Sequence, residues 1–130
     1  MLQFFQSEVA THLQAVLEMI DSAEKQASID DKANAALLKR LKTIQDGAKI
    51  VRLEPVAQLA RAMGEAIRGI QTGQDPRIST VVPLLRQGIQ ALSEMAQAAG
   101  PGFPAWWETK QGETDTLLEK LTLSPQTPAV

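Results

Sequence analysis

Few side chains in this chain could do chemistry. His12 is the sole histidine, and there is no cysteine, which excludes thiolate catalysis, disulfides and cysteine-ligated zinc. His12 sits beside the apolar spacing of Val9, Leu13 and Val16. Packing or a bond to solvent accounts for a histidine at such a boundary. Without a second histidine it cannot complete a usual metal site. Lys39, Lys42 and Lys49 share a helical stripe that should face water. Asp46, four after Lys42 and three before Lys49, partly neutralises that stripe. Glu8, Glu18 and Glu24 are scattered over the first segment as solvated positions. No Gly-rich phosphate loop, nucleophile–base pair or metal-ligand spacing is visible. Trp106 and Trp107 could anchor a partner or fold back over one end of a bundle, and the cost of leaving indoles in water favours folding back.

The elements that must position these residues read as helices. Leu2, Phe5, Val9, Leu13, Val16 and Ile20 recur at threes and fours, and this stripe fades over residues 21–26. Asp30 and Asp31 suit the start of a second helix, whose inward stripe is Leu37, Leu41, Ile44, Ala48 and Val51. Gly47 inside it implies a close approach by another helix or a partner, or is simply tolerated. Pro55 opens a third helix reaching about Ile70, with Val56, Leu59, Met63, Ile67 and Ile70 inward and Arg61, Glu65 and Arg68 outward. Gly73 ends it, and TGQDPR reads as a turn. Ser79 or Thr80 can cap a fourth helix, with Pro83 in its first turn and Val82, Leu85, Ile89, Leu92 and Ala96 inward. Gly100-Pro101 stops that helix, residues 100–113 read as a loop carrying both tryptophans, and a short helix spans residues 113–121. The expected fold is all-α: an antiparallel up-down bundle of four main helices plus a short C-terminal helix. One domain is expected over residues 1–122, with 123–130 a flexible tail or linker.

Composition agrees. The 130 residues carry a net charge of −2, 44% apolar residues and 4% aromatics, a mix that suits helices better than sheets. Nothing in the totals resembles the one-sided basic balance that nucleic-acid binding needs. No apolar run approaches the roughly 18–20 residues that span a bilayer. The start MLQFFQSEVATHLQ lacks a basic leader. A cytoplasmic location is expected.

Residues 37–60 read LLKRLKTIQDGAKIVRLEPVAQLA. Without a gap, this resembles the two central helices of histidine phosphotransfer (HPt) domains. Those domains carry a His-Thr-Leu-Lys-Gly-Ser/Ala-Ala-like core and then a Leu-Glu-Pro-like turn. The corresponding positions here are Lys42, Thr43, Ile44, Gln45, Asp46, Gly47 and Ala48, then Leu53, Glu54 and Pro55. FFQSEVATHLQAVLEMI is similar to the first helix of HPt domains in chemotaxis-type (CheA-like) histidine kinases. The resemblance covers residues 1–99 well and 100–130 weakly.

The resemblance implies an exposed phosphoacceptor at position 42, on the middle of a helix. Lysine occupies that position. Phosphate acceptance needs a nitrogen that is neutral near pH 7, whereas a lysine ammonium in water stays protonated to about pH 10. The family lysine that helps neutralise phosphate is Gln45, and the family's small glycine is Asp46, whose carboxylate would repel a phosphoryl group.

The expectation is therefore a pseudo-HPt domain of a two-component, chemosensory phosphorelay. It would bind a response-regulator receiver domain or histidine kinase domains without accepting phosphate. Its docking face would comprise Lys39, Lys42, Gln45, Asp46, Lys49, Arg61 and Glu65. No catalytic residue, cofactor, metal, nucleic acid or membrane insertion is expected. Two other readings stay open: a structural N-terminal module of a larger chemosensory kinase, and a helical adaptor or dimerisation domain unrelated to phosphorelay.

Overall fold

The computed structural model describes residues 2–70, 73–74 and 78–123. The fold is an all-α bundle. Five helices run α1 (Leu2–Gln26), α2 (Asp31–Ile50), α3 (Glu54–Arg68), α4 (Ile78–Ala98) and α5 (Phe103–Leu123). The first four close a ring in which α1 meets both α2 and α4, and α5 lies against α3 and α4. Ile20, Ile29, Leu37, Ile67, Ile78 and Leu85 gather around a small apolar cavity of about 20 Å³. One end of the bundle thus collects the C-terminal ends of α1 and α3 and the N-terminal ends of α2 and α4, which is the up-down arrangement.

The apolar stripes form the core as spaced. Phe5, Val9, Leu13, Val16 and Ile20 of α1 are buried, as are Leu37, Leu41, Ile44 and Ala48 of α2. So are Val56, Leu59, Met63 and Ile67 of α3, Ile70 just beyond it, and Val82, Leu85, Ile89, Leu92 and Ala96 of α4. Each large aliphatic side chain withdrawn from water contributes roughly 1.5–3 kcal/mol. Val51 is only half-buried, and the side chain of Leu2 lies outside the described residues.

Local chemistry sets the boundaries. Asp30 caps α2, its Oδ1 accepting from the Ala33 N–H at 2.7 Å. The other end of α2 closes in a Schellman turn: Leu53 N–H donates to Ala48 O at 2.8 Å and Arg52 N–H to Lys49 O at 3.2 Å. Arg52 takes the left-handed conformation there, at φ 62. Leu53 caps α3, so Glu54 is the first helical residue and Pro55 follows it in the first turn. Gly69, not Gly73, ends α3.

Further expectations are corrected. Gly73–Gln74 forms a two-residue antiparallel strand, β2, against Ser28–Ile29, β1; the other residues of TGQDPR lie outside those described, as does the tail 124–130. Helix α4 starts at Ile78, so Ser79 and Thr80 fall inside its first turn and Pro83 lies in the second turn, within the helix. The C-terminal helix starts at Phe103 rather than Glu113, so Trp106 and Trp107 are helical. Only residues 99–102 connect α4 to α5, with Gly100 at φ 134. Pro104 is accommodated in the first turn, and Phe103, Trp106 and Trp107 fall at the helical spacing that lets their rings meet.

Candidate functional site

Lys42 is exposed at the middle of α2, with its side chain 70% accessible. Its Nζ lies 3.6 Å from Asp46 Oδ2, one turn on. Lys39 and Lys49 are exposed on the same helix, and Gln45 is half-buried. Arg61 and Glu65 pair on the outer side of α3 at 3.4 Å. Lys39, Lys49, Arg52 and Arg68 have no ion-pair partner among the described residues.

The α2–α3 seam brings these groups together. A Cβ on Gly64 would stand 3.8 Å from Leu38 Cδ2, so Leu38 and Gly64 face each other across that seam. Lys42, Gln45 and Lys49 follow Leu38 at four, seven and eleven residues, on the same side of α2. Arg61 precedes Gly64 by three and Arg68 follows it by four, on the facing side of α3. Cations therefore border the seam from both helices, while Lys39 and Asp46 lie farther out on α2.

One signal was in the sequence and hidden by its totals. Residues 31–68 hold eight Lys/Arg against four Asp/Glu, and all other residues hold five against eleven. The α2–α3 hairpin is therefore net +4 inside a protein of net −2. A segregated charge of this kind attracts and orients an acidic partner over a Debye length of about 10 Å. Arg52, in the turn joining the two helices, adds to this face and was not among the expected site residues.

The remaining candidates have structural partners. His12 is half-buried, and its Nδ1 lies 3.1 Å from Arg40 Nη1. A guanidinium only donates, so Nδ1 is the acceptor in this contact. Trp106 and Trp107 are half-buried and pack on the core. Phe103 stacks on Trp107 at 6.2 Å and tilts against Trp106 at 5.7 Å. The indoles cover the core, in keeping with the folding-back reading. Gly47 is where α1 approaches α2: a Cβ there would stand 3.3 Å from Phe5 Cδ1.

A second ion cluster joins α4 to α1. Arg86 Nη2 reaches Asp21 Oδ1 at 2.6 Å and Glu24 Oε1 at 2.7 Å, and Nη1 reaches Glu24 Oε2 at 3.0 Å. The hydrogen bonds from Arg86 hold the Glu24 carboxyl below its ordinary pKa. Sequence spacing could not find this triad, because Arg86 lies 62 and 65 residues from its two carboxylate partners. Among the described residues no group of three metal-ligating side chains converges, and no helix is long and apolar enough to cross a membrane.

Compared with known proteins, the chain matches no family model, no curated protein and no solved structure.

Proposed function

We propose that this chain is a pseudo-HPt signalling module that binds the receiver or kinase domain of a phosphorelay through α2–α3 and does not accept phosphate. The observation that carries the reading is Lys42. It stands exposed at mid-helix, where the resemblance places the phosphoacceptor, on the border of a net-basic hairpin. Receiver domains present an acidic pocket, and a basic hairpin complements it.

The energetics distribute the role. One exposed ion pair is worth at most about 1 kcal/mol. Lys42, Lys49, Arg61 and Arg68 together would set orientation and association rate, with packing along the seam supplying the rest. Asp46 moderates the charge of Lys42 and opposes an incoming phosphoryl group.

The test is calorimetric titration of the chain with candidate receiver domains, with and without a phosphate mimic on the receiver. Binding should weaken as salt rises. Reversing Lys42 and Lys49 to glutamate should weaken it by roughly tenfold or more, at about 1 kcal/mol for each lost pair. Unchanged affinity in that variant would refute the proposed docking face. Phosphate transfer to the unsubstituted chain from a kinase or phosphorylated receiver would refute the pseudo-HPt reading.

A further inference from the structure

The outer face of α1 and α2, beside the α2–α3 seam, carries a different kind of surface. Phe4 and Ile50 are the two large apolar side chains left exposed among the described residues, at 64% and 66%. They lie at the same end of the bundle, because Phe5 of α1 sits against Gly47 of α2. Farther along, His12 meets Arg40. These two contacts fix the register of the antiparallel pair. Phe4 stands near the level of Ile50, and Glu18 near the level of Asn34, close to Lys32.

The two helices carry opposite charge. On α1, Asp21 and Glu24 are engaged by Arg86 of α4, which leaves Glu8 and Glu18 for this face, while on α2 Lys32 and Lys39 outnumber Asp46. Between the charged positions lie Thr11 and Thr43. Their hydroxyls donate back to Ser7 O at 3.1 Å and to Lys39 O at 3.0 Å. Those hydroxyl protons are therefore used within the helices, and burying this strip strands few donors.

We infer that this face is a homodimer interface whose twofold axis runs parallel to α1 and α2. Under that symmetry α1 of each copy covers α2 of the other. Phe4 then packs on Ile50 of the second copy, and Glu18 approaches the second copy's Lys32, each contact made twice. The alternative twofold, perpendicular to the helices, would lay α1 on α1 and α2 on α2, opposing like charges along both pairs. The acidic Glu8 and Glu18 of α1 and the basic Lys32 and Lys39 of α2 select the parallel axis.

The available area is sufficient and modest. Helix α2, at 20 residues, is about 30 Å long, and two adjacent helices are about 20 Å wide. Such a face buries on the order of 1,200 Å² in total, the lower end for a specific interface. A dissociation constant in the micromolar range is expected, rising with salt. The dimer leaves Lys42, Lys49, Arg61 and Arg68 uncovered, and it stands or falls independently of the phosphorelay reading.

Because the chain has no native cysteine, crosslinking reports the geometry directly. Phe4→Cys chains and Ile50→Cys chains are prepared separately, checked for native helicity by circular dichroism, and oxidised singly and as a mixture. The mixture should give a disulfide heterodimer, while each variant alone should give little. Sedimentation equilibrium of the unsubstituted chain should show a monomer–dimer equilibrium. Phe4→Asp should raise the dissociation constant by roughly tenfold or more. Glu18→Lys should also weaken the dimer, and adding Lys32→Glu should restore it. A chain that stays monomeric to millimolar concentration would overturn the proposal. So would homodisulfides forming as readily as the mixed one, a dimer indifferent to Phe4→Asp, or a charge swap that fails to rescue.

Discussion

Gly88→Ala tests how closely α3 and α4 approach in this bundle. A Cβ on Gly88 would stand 2.6 Å from Met63 Sδ, 3.0 Å from Cε and 3.1 Å from Cγ. Restoring ordinary contact requires the thioether to retreat by about 1 Å. Met63 is fully buried, so the displacement passes into neighbouring core side chains. Overpacking of this kind costs about 1–3 kcal/mol. Replacing a mid-helix glycine by alanine returns up to about 1 kcal/mol of helix propensity. The net expectation is destabilisation by about 1 kcal/mol, a fall of roughly 4 °C in Tm for a domain of this size. The assay is urea and thermal unfolding of a double-mutant cycle with Met63→Ala. That companion alone should cost about 2–5 kcal/mol. In its background Gly88→Ala should change sign and stabilise, because the obstructing thioether is gone. If Gly88→Ala stabilises the unsubstituted chain, or destabilises both backgrounds equally, the close α3–α4 approach at this point is refuted.

Two further outcomes follow from local geometry. Arg52→Gly should stabilise the fold by about 0.5–1 kcal/mol, since Arg52 holds a left-handed φ of 62 that suits glycine better than any L residue with a Cβ; a urea midpoint that falls would show that the arginine side chain supports the turn. The Arg86 cluster should make stability depend on acid. Glu24 has a lowered pKa in the folded state, chiefly through its hydrogen bonds with Arg86. Its contribution is therefore present above the unfolded-state pKa and lost as pH falls through the folded one. The stability gap between the unsubstituted chain and Arg86→Gln should narrow from about pH 7 to about pH 3, measured by urea midpoints. A gap of constant size would assign the role of Arg86 to packing instead.

The sequence by itself determined the helical class and most of the core. Apolar residues at threes and fours leave one stripe to bury, and that stripe is the same whatever it packs against. Residues as far apart as Phe5, Leu41, Met63 and Leu92 were therefore legible as interior positions, and Lys42 as an exposed one. The residue type at position 42 was legible as well: a lysine, whose ammonium stays protonated in water near pH 7. The chain's charge segregation was legible too, once counted by segment, because α2 and α3 are contiguous in the chain.

Other features existed only after the helices were set side by side. Glycine and proline density made residues 100–113 read as a loop, but the connection ends at residue 102, and the next turn becomes helical where Phe103, Trp106 and Trp107 can share one surface with the core. The Arg86 triad, the His12–Arg40 contact and the Gly88–Met63 approach join residues distant in sequence. The opposition of an acidic α1 to a basic α2, with Phe4 level with Ile50, is likewise a product of register. Periodicity specifies which side of a helix is buried; only packing decides which helix lies beside it and at what height.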